Sequence, residues 1–130
     1  MKERPLRIPI VDLDQDTLIR LEQLWEDAGL YTTTTWEPSE ARRLFESSYF
    51  DLLVIGHHPP ELDAGRLLSD LKKPERSSAC VVLLSTATRS EIENFRSMGA
   101  GAVIPRRDHA GVAEEVQKYF NARSQLSKSA

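Results

Sequence analysis

The sequence predicts an α/β protein, a doubly wound parallel sheet of five strands with helices on both faces. Short apolar, β-branched runs alternate with stretches in which apolar residues recur at three- and four-residue steps. Strict alternation of this kind indicates parallel strands, because each helix returns the chain to the end of the sheet where the next strand begins. The predicted strands are Ile8 to Val11, Leu30 to Thr35, Phe50 to Ile55, Cys80 to Leu84 and Ala102 to Ile104.

The first predicted strand contains a local conflict. Pro9 lies inside it, and proline cannot donate a backbone hydrogen bond to a neighbouring strand. Either the strand begins at Ile10 or a bulge accommodates the proline.

Five helices follow the strands, and their ends carry recognisable signals. Gly29 stops the first, Pro38 opens the second, and the third spans Asp63 to Leu71. The fourth opens with the capping-box pattern Ser90-Glu91-Ile92-Glu93 and stops at Gly99, and Asp108 caps the fifth. The inward-facing apolar residues of the first, second and fifth helices are Leu18, Leu21, Trp25 and Ala28; Ala41, Leu44 and Phe45; and Val112, Val116, Tyr119 and Phe120.

Length and composition indicate one globular domain. The chain has 130 residues, of which 40% are hydrophobic and 28% charged, so we expect a single domain over residues 1–123 and a polar, flexible tail over 124–130.

A net charge of -3 without a basic face argues against nucleic acid as a partner. No apolar run approaches the length of a membrane helix, and we expect neither a signal peptide nor membrane association. The single cysteine, Cys80, excludes an internal disulfide and favours a cytoplasmic location.

Open parallel sheets bind ligands at the carboxyl ends of their strands, so the residues just after each strand are the candidate site. They are Asp12-Leu13-Asp14, Gly56-His57-His58, Ser85-Thr86-Ala87 and Pro105-Arg106-Arg107.

Four motifs resemble the CheY-like receiver domain of two-component response regulators. IPIVDLDQDT resembles its first strand and acidic turn, FDLLVIGHHPPELDAG its third strand and loop, VVLLSTA its fourth strand, and MGAGAVIPRR its last turn and strand. The resemblance covers about residues 7 to 120 and implies a flavodoxin-like fold with strand order 2-1-3-4-5.

The same resemblance implies a phosphoryl-transfer centre, and this sequence departs from it at most positions. The acceptor aspartate falls on Gly56, since Pro60 then keeps the family's spacing, and glycine has no side chain to accept a phosphoryl group. In the acidic pair that helps to hold magnesium, Asp12 is kept and Leu13 replaces the second member, with Asp14 following. The hydroxyl position falls on Thr86, or on Ser85 if the register slips by one residue. The lysine falls on Arg106, and the aromatic switch position falls on Val103.

Three questions have two answers each from the sequence alone. Arg106 either crosses the emptied pocket and pairs with Asp12, or forms a solvated pair with Arg107. His57 and His58 leave the strand in opposite directions and are therefore unfavourable as joint metal ligands, so partly exposed loop histidines are the preferred interpretation. Asp12 and Asp14 are interpreted as residues of a helix start in preference to an acid and base pair.

The sequence therefore predicts an atypical receiver that signals without aspartyl phosphorylation. We expect no enzyme activity, no cofactor or metal, and at most weak magnesium binding. The expected partner is a protein, such as a histidine kinase or another signalling protein, or a second copy that binds through the face over residues 90–120. The alternative is a flavodoxin-like domain that binds a small ligand or a metal in the pocket at the strand carboxyl ends.

Overall fold

A five-stranded parallel sheet forms the centre of the molecule. The computed structural model describes residues 7–27, 32–47, 50–70 and 79–129. The strand order β2-β1-β3-β4-β5 and the parallel pairing of every neighbour confirm the predicted fold class. The strands are β1 Ile10–Val11, β2 Thr34–Thr35, β3 Leu53–Gly56, β4 Cys80–Leu84 and β5 Ala102–Pro105.

The proline in the first predicted strand lies just outside it. β1 begins at Ile10, so the first of the two arrangements left open by the sequence is correct. The carbonyl of Pro9 still accepts a hydrogen bond of 3.0 Å from Val54 N. Proline is tolerated here because this contact uses its carbonyl and requires no N–H.

Helices connect the strands as predicted, with some shifted ends. They are α1 Gln15–Asp27, α2 Pro38–Ser47, α3 Ala64–Asp70, α4 Arg89–Ser97 and α5 His109–Ser129. Asp63 precedes α3 and caps it, since its Oδ1 accepts a 3.1 Å hydrogen bond from Arg66 N. The predicted positions Leu30, Ala28, Gly29 and Leu71 lie outside the described residues.

The N-cap of α4 was predicted two residues too late. Thr88, rather than Ser90, is the cap: its Oγ1 accepts a 3.2 Å hydrogen bond from Glu91 N and donates to Glu91 Oε1 at 3.1 Å. Two overlapping patterns with a hydroxyl residue three places before a glutamate occur here, and only one can start the helix. The end of the helix agrees with the prediction, because Gly99 has a positive φ of 93°.

The last helix is longer than the sequence suggests. Asp108 caps α5 as predicted, accepting a 2.9 Å hydrogen bond from Gly111 N. The helical backbone then runs to Ser129, through most of the segment expected to form a flexible tail. The division at residue 123 stays a prediction. No helix within the described ranges is long and apolar enough to cross a membrane.

The sheet is buried on both faces, which fixes the direction of each strand residue. Leu53 and Ile55 pack into one core cluster, whereas Leu52 and Val54 pack into the other. The first cluster includes residues from α2, α3 and α4, and the second includes residues from α1 and α5. Two covered faces are what a doubly wound parallel sheet requires. Cys80 is completely buried in β4, in agreement with a structural role.

The corrected cap of α4 gives a direct test. Thr88→Ala should lower the free energy of unfolding by about 1 kcal/mol, because Glu91 N loses its hydrogen-bond acceptor. Ser90→Ala is the matched control and should change it by less than about 0.5 kcal/mol, as expected of an exposed surface position. Urea unfolding followed by circular dichroism measures both. A larger loss in Ser90→Ala would contradict the assignment.

Candidate functional site

The candidate site lies at the carboxyl edge of the sheet, where β1, β3, β4 and β5 end side by side. Asp12 follows β1, Gly56 is the last residue of β3, Ser85 follows β4 and Arg106 follows β5. Hydrogen bonds between neighbouring strands fix the positions of these residues along the strand direction, since Gly56 pairs with Leu83 and Arg106 N donates to Leu84 O at 2.8 Å. The strands therefore bring together the positions that the sequence predicted as one site.

Asp12 is the centre of this site. It is completely buried, and with Thr17 it is one of two buried polar side chains found in the described part of the chain. Its Oδ1 accepts a 2.8 Å hydrogen bond from Asp14 N and lies 2.5 Å from Nε2 of His58. Its Oδ2 lies 3.3 Å from Nε of Arg106. A buried carboxylate needs such partners, because its loss of hydration is otherwise uncompensated.

Arg106 adopts the first of the two arrangements left open by the sequence, pairing with Asp12 across the pocket. Its side chain is 11% exposed, which excludes a solvated pair with Arg107. Nη1 also donates a 2.9 Å hydrogen bond to Ser85 Oγ. The contact with Asp12 is an ion pair rather than an aligned hydrogen bond, since Arg106 Nε and Asp12 Oδ2 have no hydrogen-bond partner among the described residues. The guanidinium therefore links the ends of β1, β4 and β5.

The space beside Gly56 is filled by the Asp12 carboxylate. A Cβ atom built on Gly56 would lie 2.5 Å from Cγ of Asp12 and closer still to Oδ2. Real Cβ atoms do not approach other heavy atoms so closely. The carboxylate of β1 thus occupies the place that a side chain on β3 would need, and Gly56 is required by packing.

Leu13 and Asp14 have structural contacts. Leu13 is partly buried against the core on the α2, α3 and α4 side of the sheet. Asp14 starts α1, because its side chain accepts hydrogen bonds from Asp16 N at 3.2 Å and from the Thr17 hydroxyl at 2.9 Å. The Thr17 hydrogen bond is the largest cause that holds the pKa of Asp14 below its usual value. These contacts support a helix start over an acid and base pair.

Of the two hydroxyl candidates, Ser85 is the one that contacts the site. Both residues are exposed, but Ser85 is the first residue after β4 and its hydroxyl accepts from Arg106, whereas the Thr86 carbonyl accepts from Thr88 N. Val103, at the predicted switch position, is buried in β5 opposite Val82. Val103 is aliphatic, so this position has no aromatic ring that could change its orientation. The functional roles of these positions stay predictions.

The contact between His58 and Asp12 was missed by the sequence reasoning, which placed the two on separate loops. His58 is held by a two-residue antiparallel bridge, in which its N donates to Leu62 O at 2.7 Å and its O accepts from Leu62 N at 2.9 Å. This bridge closes the loop Pro59-Pro60-Glu61 and turns the imidazole toward β1. The proline pair signals a tight loop, but its direction could not be read from the sequence.

His57 faces the opposite side, as strand alternation predicts. Its Nδ1 accepts a 3.2 Å hydrogen bond from Ala64 N, the first residue of α3, and its ring packs edge-on against Phe95 with 5.0 Å between centroids. Accepting at Nδ1 requires the neutral imidazole. Burial is the largest cause that lowers the pKa of His57, and the nearby carboxylates of Asp63 and Glu91 oppose it.

Comparison with known proteins gives matches at the level of structure only. No family model and no curated protein matches the sequence. The receiver domain of the Francisella response regulator 1452 superposes with a TM-score of 0.78 at 18% identity, covering 91% of this chain and 98% of that one. A signal receiver domain from Vibrio parahaemolyticus gives 0.80 at 13% identity, with 96% of each chain covered. A CheY-like receiver from Methanospirillum hungatei gives 0.75 at 18%, covering 95% of this chain and 99% of the other.

These superpositions decide the fold. The chain has the fold of a CheY-like response regulator receiver domain. Each of these superpositions covers more than 90% of this chain and of the matched receiver domain. At such low identity the likeness does not extend to residue roles, which rest on the geometry above.

The residues present do not fit the magnesium ion that the resemblance implies. Both oxygens of Asp12 already face donors, the imidazole of His58 and the guanidinium of Arg106, and Leu13 offers no oxygen. A cation would have to displace Arg106 and meet its positive charge. Among the residues described, no three His, Cys, Asp or Glu side chains gather as a metal site would need.

Gly56→Ala tests whether the carboxylate fills the site. We expect a loss of about 1–3 kcal/mol in the free energy of unfolding, because the new methyl group overlaps Asp12. In an Asp12→Ala background the same substitution should cost almost nothing, so the double-mutant cycle should show coupling of similar size.

Gly65→Ala is the control for this cycle. A Cβ on Gly65 in α3 would meet its nearest atoms at 3.4–3.6 Å, so we expect no loss and a gain of up to about 1 kcal/mol from helix propensity. Equal costs at both glycines, or strict additivity with Asp12→Ala, would refute the packing argument. Chemical denaturation measures the unmodified chain, the three variants of the cycle and Gly65→Ala.

His57 predicts a pH dependence. Because its pKa is lowered in the folded state, the unfolded chain binds the proton more tightly below the ordinary value of 6.5. Its contribution to stability is therefore complete above pH 6.5 and is lost as the pH falls toward the folded-state pKa. His57→Asn, which keeps an acceptor for Ala64 N, should reduce the slope of stability against pH in this window. Urea midpoints across the window measure it, with His109→Asn as a histidine control; an unchanged slope would contradict the prediction.

Proposed function

We propose that this chain is a signalling module that works through protein–protein contacts and does not use aspartyl phosphorylation. The single observation that carries the proposal is that the Asp12 carboxylate, held by His58 and Arg106, fills the space beside Gly56. Neither an acceptor side chain nor a phosphoryl group has room there while this arrangement persists. A receiver fold with a filled pocket presents a fixed surface instead of two phosphorylation-dependent states.

The wider properties of the module belong to the same proposal. The molecule is not an enzyme, because nothing in the site pairs a nucleophile with a base in a position to act. It works in the cytoplasm and binds a protein. The resemblance implies that this partner is a histidine kinase or another signalling protein. A homodimer through the face over residues 90–120 stays a prediction.

A second candidate function is supported by a cavity beside the site. It has a volume of about 280 Å³ and lies between the first turns of α1 and α5, where Thr17, Ser85 and Arg107 line it. Polar groups that converge on a cavity are a common feature of small-ligand sites. The two candidates differ in one observable: a small ligand would perturb residues around this cavity, whereas a protein partner would perturb an exposed face.

Phosphoryl donors test the first proposal. Acetyl phosphate with magnesium, or beryllium fluoride with magnesium, should leave both the intact mass and the amide NMR spectrum unchanged. A mass increase of one phosphoryl group that hydroxylamine removes would show that a different carboxylate has become the acceptor and would end the proposal.

The proposal also predicts which substitutions phosphorylation would require. Gly56→Asp with Leu13→Asp should still fail to accept a phosphoryl group, because Asp12 occupies the space of the new side chain and Arg106 that of the metal. Adding Arg106→Lys, which replaces the planar guanidinium by a smaller cation, should be needed before any phosphorylation is detected. Phosphorylation of the double variant at a rate equal to that of the triple variant would show that the ion pair is no obstacle.

A further inference from the structure

An exposed apolar pair lies at the β2 edge of the sheet, far from the face that the resemblance favours. Ile19 of α1 is 62% exposed and Trp36, just after β2, is 55% exposed. Leu24, also on α1, completes the set of large hydrophobic side chains exposed in the described part of the molecule. None of the described side chains in the face over residues 90–120 has this character. Exposed tryptophan is uncommon on a surface that contacts only water.

The directions of α1 and β2 place Ile19 and Trp36 at the same end of the contact between these two elements. Thr34 Oγ1 lies 3.4 Å from Glu22 Oε2, so β2 and α1 are in contact at this level. Trp36 lies two residues further along the same side of the chain, and Ile19 lies one turn earlier on a helix that runs antiparallel to β2. Trp36 and Ile19 are therefore displaced in the same direction from the contact between Thr34 and Glu22.

The surroundings of this pair are acidic. On the exposed face of α1 and in the residue after Trp36, the charged side chains are Asp16, Arg20, Glu22, Glu26, Asp27 and Glu37. Arg20 is the single base among them and is already paired with Asp16 at 3.0 Å. The face over residues 90–120 differs, since Arg96, Arg107 and Lys118 there partly offset its acids. The acidic side chains favour a basic partner by charge complementarity. The large apolar surface of Trp36 favours apolar side chains in the same partner.

We propose that the α1–β2 surface, defined as Ile19 and Trp36 with the acidic residues around them, binds a basic protein segment that carries apolar anchor side chains. The inference rests on the proposed function, in that the chain acts through protein contacts, and it assigns the surface and the chemistry of the partner. Nucleic acid and anionic membranes are excluded as occupants because they carry the same charge sign as the rim. A second copy of the chain would bring two acidic rims together and is also disfavoured.

Site-specific photo-crosslinking in the cells that produce the chain tests this assignment. A benzophenone side chain placed at Gln23, an exposed neighbour of Ile19 on α1, should yield an adduct whose linked peptide has net positive charge. Trp36→Ala should reduce the yield at least about tenfold, as expected of a tryptophan anchor. The same probe at Arg96 on α4 is the matched control and should give no adduct that depends on Trp36. A synthetic copy of the linked peptide should bind the purified chain more weakly as salt is added.

The assignment of this surface would be refuted by an adduct from position 96 and none from 23, or by no adduct from either position. An adduct from 23 whose yield Trp36→Ala leaves unchanged would also refute it. So would a linked peptide that is acidic or that comes from a second copy of the chain. An unchanged melting temperature in Trp36→Ala ensures that loss of yield is not loss of folding. An adduct from position 96 alone would refute the assignment of this surface but not the proposal that the chain signals through protein contacts. An aspartyl-phosphate adduct would refute the proposed function but not the assignment of this surface.

Discussion

The arrangement of the site depends on one buried carboxylate. Asp12 is completely buried at the end of β1, between the imidazole of His58 and the guanidinium of Arg106. Removing one partner of such a pair costs about 3–5 kcal/mol, because the remaining charge stays buried without compensation. The three side chains therefore stabilise one another, and they hold together the ends of β1, β3 and β5.

The glycine at the end of β3 follows from this constraint. With a carboxylate beside it, Gly56 is the residue that fits, since any Cβ would overlap Asp12. The carboxylate at the edge of the sheet now comes from β1 and lies where a side chain from β3 would point. The site therefore keeps a buried charge, which the imidazole of His58 and the guanidinium of Arg106 compensate.

The sequence predicted most of this fold and part of the site, for identifiable reasons. The alternation of strands and helices predicted a parallel sheet and the edge where Asp12, Gly56 and Arg106 meet, whereas the strand order was implied by the resemblance to receiver domains. The pairing of Arg106 with Asp12 was one of two arrangements that charge alone allowed. His58 was missed because its direction is set by the backbone bridge to Leu62, which no side-chain pattern records. The cap of α4 was misplaced because two capping patterns overlap, and the sequence does not show which hydroxyl accepts the first hydrogen bond of the helix.

The most direct test of the account is a crystal structure of the unmodified chain grown in magnesium-containing solution. The account predicts the guanidinium of Arg106 and the imidazole of His58 on the two oxygens of Asp12, with no metal between β1 and β3. An ordered magnesium ion on Asp12, with Arg106 turned out toward solvent, would contradict it. In that case the site could still open to the chemistry of an ordinary receiver.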